Sequence, residues 1–197
     1  ISLSRTNKYN HTDHIFRFAA WTASTAARAS FNCIFKVKVG SAIIKDSNLY
    51  KYSNSFQYLP EPKKFDAEHK KICEKIIKSS ENYKISGKFT HGIAAKLLNC
   101  YFKSIYLIQF QSSLDKNTQS KVDAIHPPID RVLLTALSKD KNEKLKERDE
   151  FWRDKAKKGW SNFDYDEYET VIKKIKEVQK EKKEPLWMIE YAWQGYQ

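Results

Sequence analysis

The stretch 89–111, FTHGIAAKLLNCYFKSIYLIQFQ, constrains the fold of this chain more than any other part of the sequence. Its apolar residues recur at helical spacing, and further apolar residues widen that face almost all the way round. A helix that is apolar on nearly every side is normally surrounded by protein. The sequence therefore predicts a central helix with Thr90 as its N-cap. The residues expected to be buried on it are Ala94, Leu97, Leu98, Tyr101 and Ile105.

One narrow polar stripe interrupts this apolar surface. It consists of Lys96, Asn99 and Lys103, which follow one another at helical spacing. Polar side chains on an otherwise buried helix need partners from the surrounding protein. We therefore expect any chemistry of the protein to lie near this polar stripe.

Other segments also read as helices. The segment 13–30 is rich in alanine, begins with Asp13 as a candidate N-cap, and favours close packing against the central helix. The segment 65–83 is amphipathic, and 35–49 alternates like a strand at first but is better read as a short helix. The aromatic segment 50–64 is expected to be a loop that closes an edge of the core.

The second half of the chain continues the helical pattern. The segment 112–121 reads as a polar loop, and 123–138 as a helix that starts at the prolines, with Pro128 in its first turn. A later helix runs through Tyr168 and is capped by Asn162 or Asp164. The sequence thus predicts an all-α fold of about seven or eight helices.

The composition changes at Lys139. Residues 139–185 contain 15 Lys and Arg against 13 Asp and Glu, so nearly all of the net charge of +12 lies before that point. The prediction is one helical core domain, 1–138, with a charged C-terminal helical appendage, 139–197, packed on it.

The basic excess bears on partners. A strongly basic chain favours a polyanionic partner, and duplex DNA is the first expectation, with a protein partner as a further one. No apolar run is long enough for a membrane span, so no membrane partner is expected. Three scattered cysteines, without paired spacing, are typical of a cytoplasmic protein with reduced thiols. The sequence shows neither zinc-ligand spacing nor a phosphate-binding glycine loop, and we expect no metal and no cofactor.

Two segments carry a resemblance to a known superfamily. The first is GIAAK at 92–96 and the second is HPPIDRVLLTAL at 126–137. Together they resemble the catalytic half of the helix-hairpin-helix DNA glycosylases, in particular those that act on oxidised guanine. The first segment departs from the family pattern, because Ala94 stands where a second glycine is usual. The same segments are also similar to helical bacterial proteins without a known function.

The resemblance implies a mechanism. Lys96 would match the nucleophilic lysine, and Asp130 the aspartate that orients it and stabilises positive charge on the sugar. The target base would be flipped into a pocket and stacked on an aromatic side chain such as Trp21 or Phe89. The residues expected to contact nucleic acid are Lys88, His91, Lys103, His126, Arg131 and Trp21.

Two structural readings follow from the sequence. For an enzyme, Lys96 and Asp130 must share one cleft, with His91 and His126 at its rim. In the alternative reading Lys96 reaches the surface, Asp130 is an ordinary helix-start carboxylate, and the chain is a non-catalytic helical adaptor. The arrangement of the basic residues distinguishes the two possibilities. If the protein binds nucleic acid, one groove should be lined by Lys88, Lys96, Lys103 and Arg131.

Overall fold

A computed structural model of the chain describes residues 9–30, 32–53, 55–108, 114–139 and 146–195, with the backbone alone for 146–149. Within these ranges the fold is all-α, as predicted, and forms a single domain. Two short strands, β1 (Cys33–Ile34) and β2 (Ser86–Gly87), make one antiparallel pair. The α-helices are α1 (His11–Ala27), α2 (Val37–Asp46), α3 (Phe65–Ser80), α4 (His91–Phe102), α5 (Lys116–Asp123), α6 (Arg131–Leu137), α7 (Lys146–Lys158) and α8 (Tyr165–Lys182).

Helix α4 is the centre of the molecule. Every one of its residues is buried, which confirms the prediction from its apolar surface. Thr90 caps it, accepting a hydrogen bond from the backbone N–H of Ile93 at 3.3 Å. The helix continues into a π-helical turn, Lys103–Leu107. Residues 109–111 of the predicted helix lie outside the described part of the chain.

Helix α1 packs closely on α4 through small side chains, as predicted. Ala19, Ala20, Ala23 and Ala27 are all buried. The predicted N-cap is wrong by three residues, because Asn10 caps the helix and Asp13 closes a capping box with it. Helix α2 forms where the sequence was ambiguous, and the segment after it folds into short 3-10 turns with Tyr52 buried in the core.

The region around the prolines differs from the prediction. The expected polar loop contains α5, capped by Asp115, and the prolines precede a helix instead of starting it. Helix α6 begins at Arg131, with the extended residue Asp130 as its N-cap. The physical reason is the Asp130 side chain, whose Oδ1 accepts the backbone N–H of Leu133 at 2.9 Å.

The C-terminal segment packs on the rest of the chain. Asp164 caps α8 with a complete capping box, so the predicted choice between Asn162 and Asp164 falls on Asp164. Helix α8 contacts α4, and both α7 and the final 3-10 segment, Leu186–Ala192, contact α6. The buried side chains of this segment include Trp152, Trp160, Phe163, Tyr168 and Ile189. In the described ranges, no helix combines the length and apolar character that crossing a membrane requires.

Candidate functional site

Lys96 and Asp130 meet in the interior of the fold. Lys96 Nζ lies 2.9 Å from Asp130 Oδ2, and only 7% of the lysine and 18% of the aspartate side chain is exposed. Helix α4 carries Lys96, and the start of α6 presents Asp130. The expectation that the two residues share one cleft is confirmed, whereas their catalytic roles stay predictions.

Asp130 is held by more than the lysine. Its Oδ1 caps α6, and its Oδ2 accepts a second hydrogen bond, at 3.0 Å, from the indole N–H of Trp193. Burial raises the pKa of this carboxyl group, but the positive charge of Lys96 and these hydrogen bonds outweigh burial. The net effect lowers the pKa of Asp130, so the residue is a carboxylate at neutral pH.

A second lysine–carboxylate pair lies two turns further along the polar stripe. Lys103 Nζ donates to Glu190, which comes from the C-terminal 3-10 segment. Burial raises the pKa of Glu190 although Lys103 opposes the effect. In the described structure, Glu190 Oε1 is buried and has no hydrogen-bond partner.

Both pairs line one cavity of about 330 Å³. Such a volume is within the usual range of about 300–1,000 Å³ for small-molecule sites. Small residues of α1 form one side of it, and the exposed residues Ala29 and Ile108 lie at its edge. The lining residues are Thr22, Ala26, Ala29, Lys96, Cys100, Lys103, Ser104, Ile108, Pro128, Asp130, Trp160, Glu190 and Trp193.

Two tryptophans form aromatic walls of this cavity. Lys96 Nζ is 5.7 Å from the centre of the Trp160 ring, and Lys103 Nζ is 5.6 Å from the centre of the Trp193 ring. Both distances are in the range of cation–π contacts.

Neither of the two aromatic residues expected at the site lines this cavity: Trp21 lines a separate groove between α1 and α2, and Phe89 packs against Phe35. The expectation that Trp21 or Phe89 stacks a base beside Lys96 is therefore wrong.

His91 and His126 do not form the rim of the cavity, so that expectation is also wrong. Their side chains are 7% and 3% exposed, and they point into a polar cluster between α3, α4 and α8. His126 Nε2 contacts Asp66 Oδ1 at 3.0 Å, and its Nδ1 contacts the hydroxyl group of Tyr168 at 3.0 Å. As buried residues they have no surface with which to contact nucleic acid directly.

The polar stripe has a partner at each position. Between the two lysines, Asn99 accepts from His69 at 2.7 Å and donates to the Pro127 carbonyl oxygen at 2.8 Å. The stripe thus carries an ion pair at each end and a buried hydrogen-bond network in the middle, and the expectation of chemistry along it stays a prediction.

Of the four cations expected in one groove, two line the cavity. Lys96 and Lys103 do so, whereas Lys88 and Arg131 are exposed residues that are not among its lining. Arg131 nevertheless follows Asp130 directly in the chain, so its charge is close to the site. The basic groove predicted from the sequence is thus only partly formed.

Three residues that line the site were not predicted as site residues from the sequence. Trp160 and Trp193 read as packing aromatics, and Glu190 as an isolated charge in an aromatic tail. Of these three, Glu190 could have been recognised from the sequence. It is the only charged residue after Pro185 and lies in an apolar segment. A lone charge in such a segment requires a buried partner.

No protein family, no curated protein and no solved structure matches this chain in comparisons with known proteins.

Proposed function

We propose that this chain is a nucleic-acid-associated protein that removes a damaged base from duplex DNA, with Lys96 as nucleophile and Asp130 as its charge partner. The observation that carries the proposal is the contact of 2.9 Å between Lys96 Nζ and Asp130 Oδ2 inside a cavity. Nucleophilic catalysis by lysine needs an amine that is held at the reacting carbon and gives up its proton, and Asp130 is the group that holds this amine in place.

The proposed chemistry uses the two side chains in sequence. The ammonium group of Lys96 gives a proton to the departing base, its nitrogen forms a bond to C1′ of the deoxyribose, and the bond from C1′ to the base breaks. The base leaves with the bonding electron pair and takes up this proton. Asp130 stabilises the positive charge that develops on the sugar, because it is ionised and fixed by three hydrogen bonds. The bond from C1′ to the ring oxygen then breaks, this oxygen takes up a proton from the Lys96 nitrogen, and a Schiff base on Lys96 remains.

Cys100 is a further potential nucleophile in the cavity. Burial raises the pKa of its thiol group, so the thiol stays protonated at neutral pH. A protonated thiol is a poor nucleophile, which favours the amine of Lys96 over Cys100 for this role.

The cavity walls suit a flipped base. The rings of Trp160 and Trp193 offer aromatic faces, on which any nucleobase can stack. The unpaired oxygen Oε1 of Glu190 can accept a hydrogen bond from a base N–H group. The net charge of +12 supports binding to the DNA backbone, although it is spread beyond the cavity.

Borohydride trapping tests the proposal. A Schiff base between Lys96 and damaged DNA is reduced to a stable covalent adduct, which migrates as a slower band on a denaturing gel. We expect the adduct with a duplex that carries oxidised guanine and not with an undamaged duplex. Lys96→Gln should abolish it. Lys121→Gln is the matched control, because Lys121 is also a mostly buried, ion-paired lysine but pairs with Glu61 elsewhere.

A non-catalytic helical adaptor is the alternative, and one observation favours it. Each lysine of the cavity already has a carboxylate partner, as expected of residues that only hold the fold together. If wild-type protein gives no adduct on damaged duplexes and no binding to DNA at low salt, the adaptor function replaces the proposed enzyme.

A further inference from the structure

One cysteine and two histidines come together between α3 and α4, outside the Lys96 cavity. His69 and Cys73 stand one turn apart on α3, and His91 is the first residue of α4. One potential ligand atom from each lies within 4.8 Å of the other two, and all three residues are buried. Imidazole nitrogen and thiolate sulfur are the ligand types that zinc prefers.

The hydrogen bonds of Asn99 determine which nitrogen of His69 carries the proton. Asn99 Nδ2 donates to the carbonyl oxygen of Pro127 at 2.8 Å, so Oδ1 is the atom that lies 2.7 Å from His69 Nε2. Because this oxygen can only accept, Nε2 must be the donor. The lone pair of His69 Nδ1 therefore faces Cys73 Sγ, 3.6 Å away.

This arrangement is the one that metal-binding histidines usually have. One ring nitrogen donates to a fixed oxygen, which orients the ring, and the other nitrogen is left to bind the metal. Asn99 thus supplies the supporting contact for His69. Since Asn99 belongs to the polar stripe of α4, the same helix would orient one ligand and carry another.

His91 supplies an independent observation. Its side chain is 7% exposed, and in the described part of the chain its Nε2 has no hydrogen-bond partner. A buried polar atom without a partner is destabilising and calls for an explanation, of which an ion is one. Burial also lowers the pKa of His91 to about 4, so the ring is neutral at pH 7, the form that binds metal ions.

We propose that His69, Cys73 and His91 bind one thiophilic transition-metal ion, zinc in the first place. On binding, the Cys73 thiol gives up its proton to solvent, and the ion forms one bond to sulfur and two to imidazole nitrogens. Three protein ligands leave one position of a tetrahedral zinc site for a water molecule.

The consequence of such a site would be structural. The ion would join α3 to the first residue of α4, five residues before Lys96. Binding to the folded chain alone raises the midpoint of thermal unfolding. The proposal does not depend on any enzymatic activity of the protein.

Cobalt is the probe for this site, because a cobalt–thiolate bond gives a charge-transfer absorption that zinc does not. Full-length protein, freed of metal by a chelator, is titrated with Co²⁺ and then with Zn²⁺ in competition. We expect one ion per chain, with an absorption that zinc abolishes. Cys73→Ser should lose the absorption. Cys100→Ser should retain the absorption. Cys100 is also a buried cysteine, but it belongs to α4 and lies outside the cluster.

Two outcomes overturn the proposal: wild-type protein shows no charge-transfer absorption, or Cys73→Ser retains it. Circular dichroism checks that each variant is helical. If Cys73→Ser does not fold, His91→Asn decides, because it removes the ligand that α4 supplies and leaves the Cys73 thiolate in place. A loss of roughly tenfold or more in cobalt affinity supports the site, and an unchanged affinity contradicts it.

Discussion

Trp193 donates its indole N–H to the same carboxylate oxygen of Asp130 that pairs with Lys96, with 3.0 Å between Nε1 and Oδ2. The C-terminal segment is thereby tied to the start of α6 and to the centre of α4. Lys96 and Trp193, which are far apart in sequence, thus contact the same ionised carboxylate of Asp130 and complete a single site.

Replacing Asp130 by asparagine should destabilise the fold. The N-cap is preserved, because asparagine caps a helix as well as aspartate, but Lys96 is left buried without an opposite charge. Breaking a buried pair in this way costs about 3–5 kcal/mol of unfolding free energy. Chemical denaturation followed by circular dichroism measures it.

Asp164→Asn is the control for that experiment. Asp164 also caps a helix, but it has no buried lysine partner, so we expect a change within about 0.5 kcal/mol. Equal losses in the two variants would mean that the charge of Asp130 contributes nothing beyond capping.

Much of the fold could be predicted from the sequence, because the relevant information is local. The apolar surface of α4 indicated its central position, and the alanines of α1 indicated close packing. Thr90 was recognisable as a cap from its position before an apolar repeat, and Asp164 was one of two candidate caps. The start of α6 was misplaced because Pro128 fits a first helical turn as well as an extended segment, and only the contact of Asp130 with Leu133 decides between them.

The site was predicted only where its residues lie on strongly patterned segments. Lys96 and Asp130 do, and the sequence predicted that they share one cleft. The structure brings them together at the residue before α6, although α4 and α6 are not one of its main helix pairs. The tryptophans that form the cavity walls, Trp160 and Trp193, were not predicted as site residues. A tryptophan that only packs and one that donates an N–H to a carboxylate look the same in sequence. His69 and Cys73 passed unnoticed for a similar reason, since their third partner, His91, is on another helix.

Gly92→Ala should disrupt the start of α4. A Cβ atom at this position would lie 2.0 Å from the backbone carbonyl oxygen of Trp160, which no side-chain movement can relieve. Gly92 also donates its backbone N–H to Phe163 at 2.9 Å, so the two segments cannot separate freely. We expect a loss of about 1–3 kcal/mol or more in unfolding free energy, measured by urea denaturation. A neutral effect would show that the Trp160 turn can move away from α4.

Binding to a short DNA duplex should weaken steeply with salt. If basic residues neutralise phosphates, the logarithm of the binding constant falls linearly with the logarithm of salt concentration, because counterions are released. Arg131→Glu should lower the affinity and reduce the slope by about one unit. Lys75→Glu, an exposed charge on α3, serves as the control and should have a smaller effect. Fluorescence anisotropy measures both, and a flat salt dependence in the wild type would rule out backbone binding.

The stability of the metal-free protein should fall as the pH is lowered below neutrality. Burial lowers the pKa values of His69, His91 and His126, and that of His91 to about 4. The unfolded chain, with histidine pKa values near 6.5, therefore binds more protons than the folded chain below that pH. The contribution of these neutral histidines to the free energy of unfolding is complete above about pH 6.5. It decreases towards pH 4, by up to about 1.4 kcal/mol per pH unit for each histidine.

Urea denaturation in the presence of a chelator, repeated over this pH range, tests the prediction. His11→Gln provides the comparison, because His11 is exposed at the start of α1 and its replacement should leave the slope unchanged. A stability that does not change between about pH 6.5 and 5 would contradict the burial of neutral histidines.

The most direct test of the proposed enzyme is to locate the covalent bond. Wild-type protein is reacted with a duplex carrying oxidised guanine in the presence of borohydride, digested, and analysed by mass spectrometry of its peptides. We expect one modified peptide, with the reduced sugar remnant on Lys96 Nζ. A remnant on a different lysine, or no modified peptide under conditions in which the duplex is bound, would contradict it.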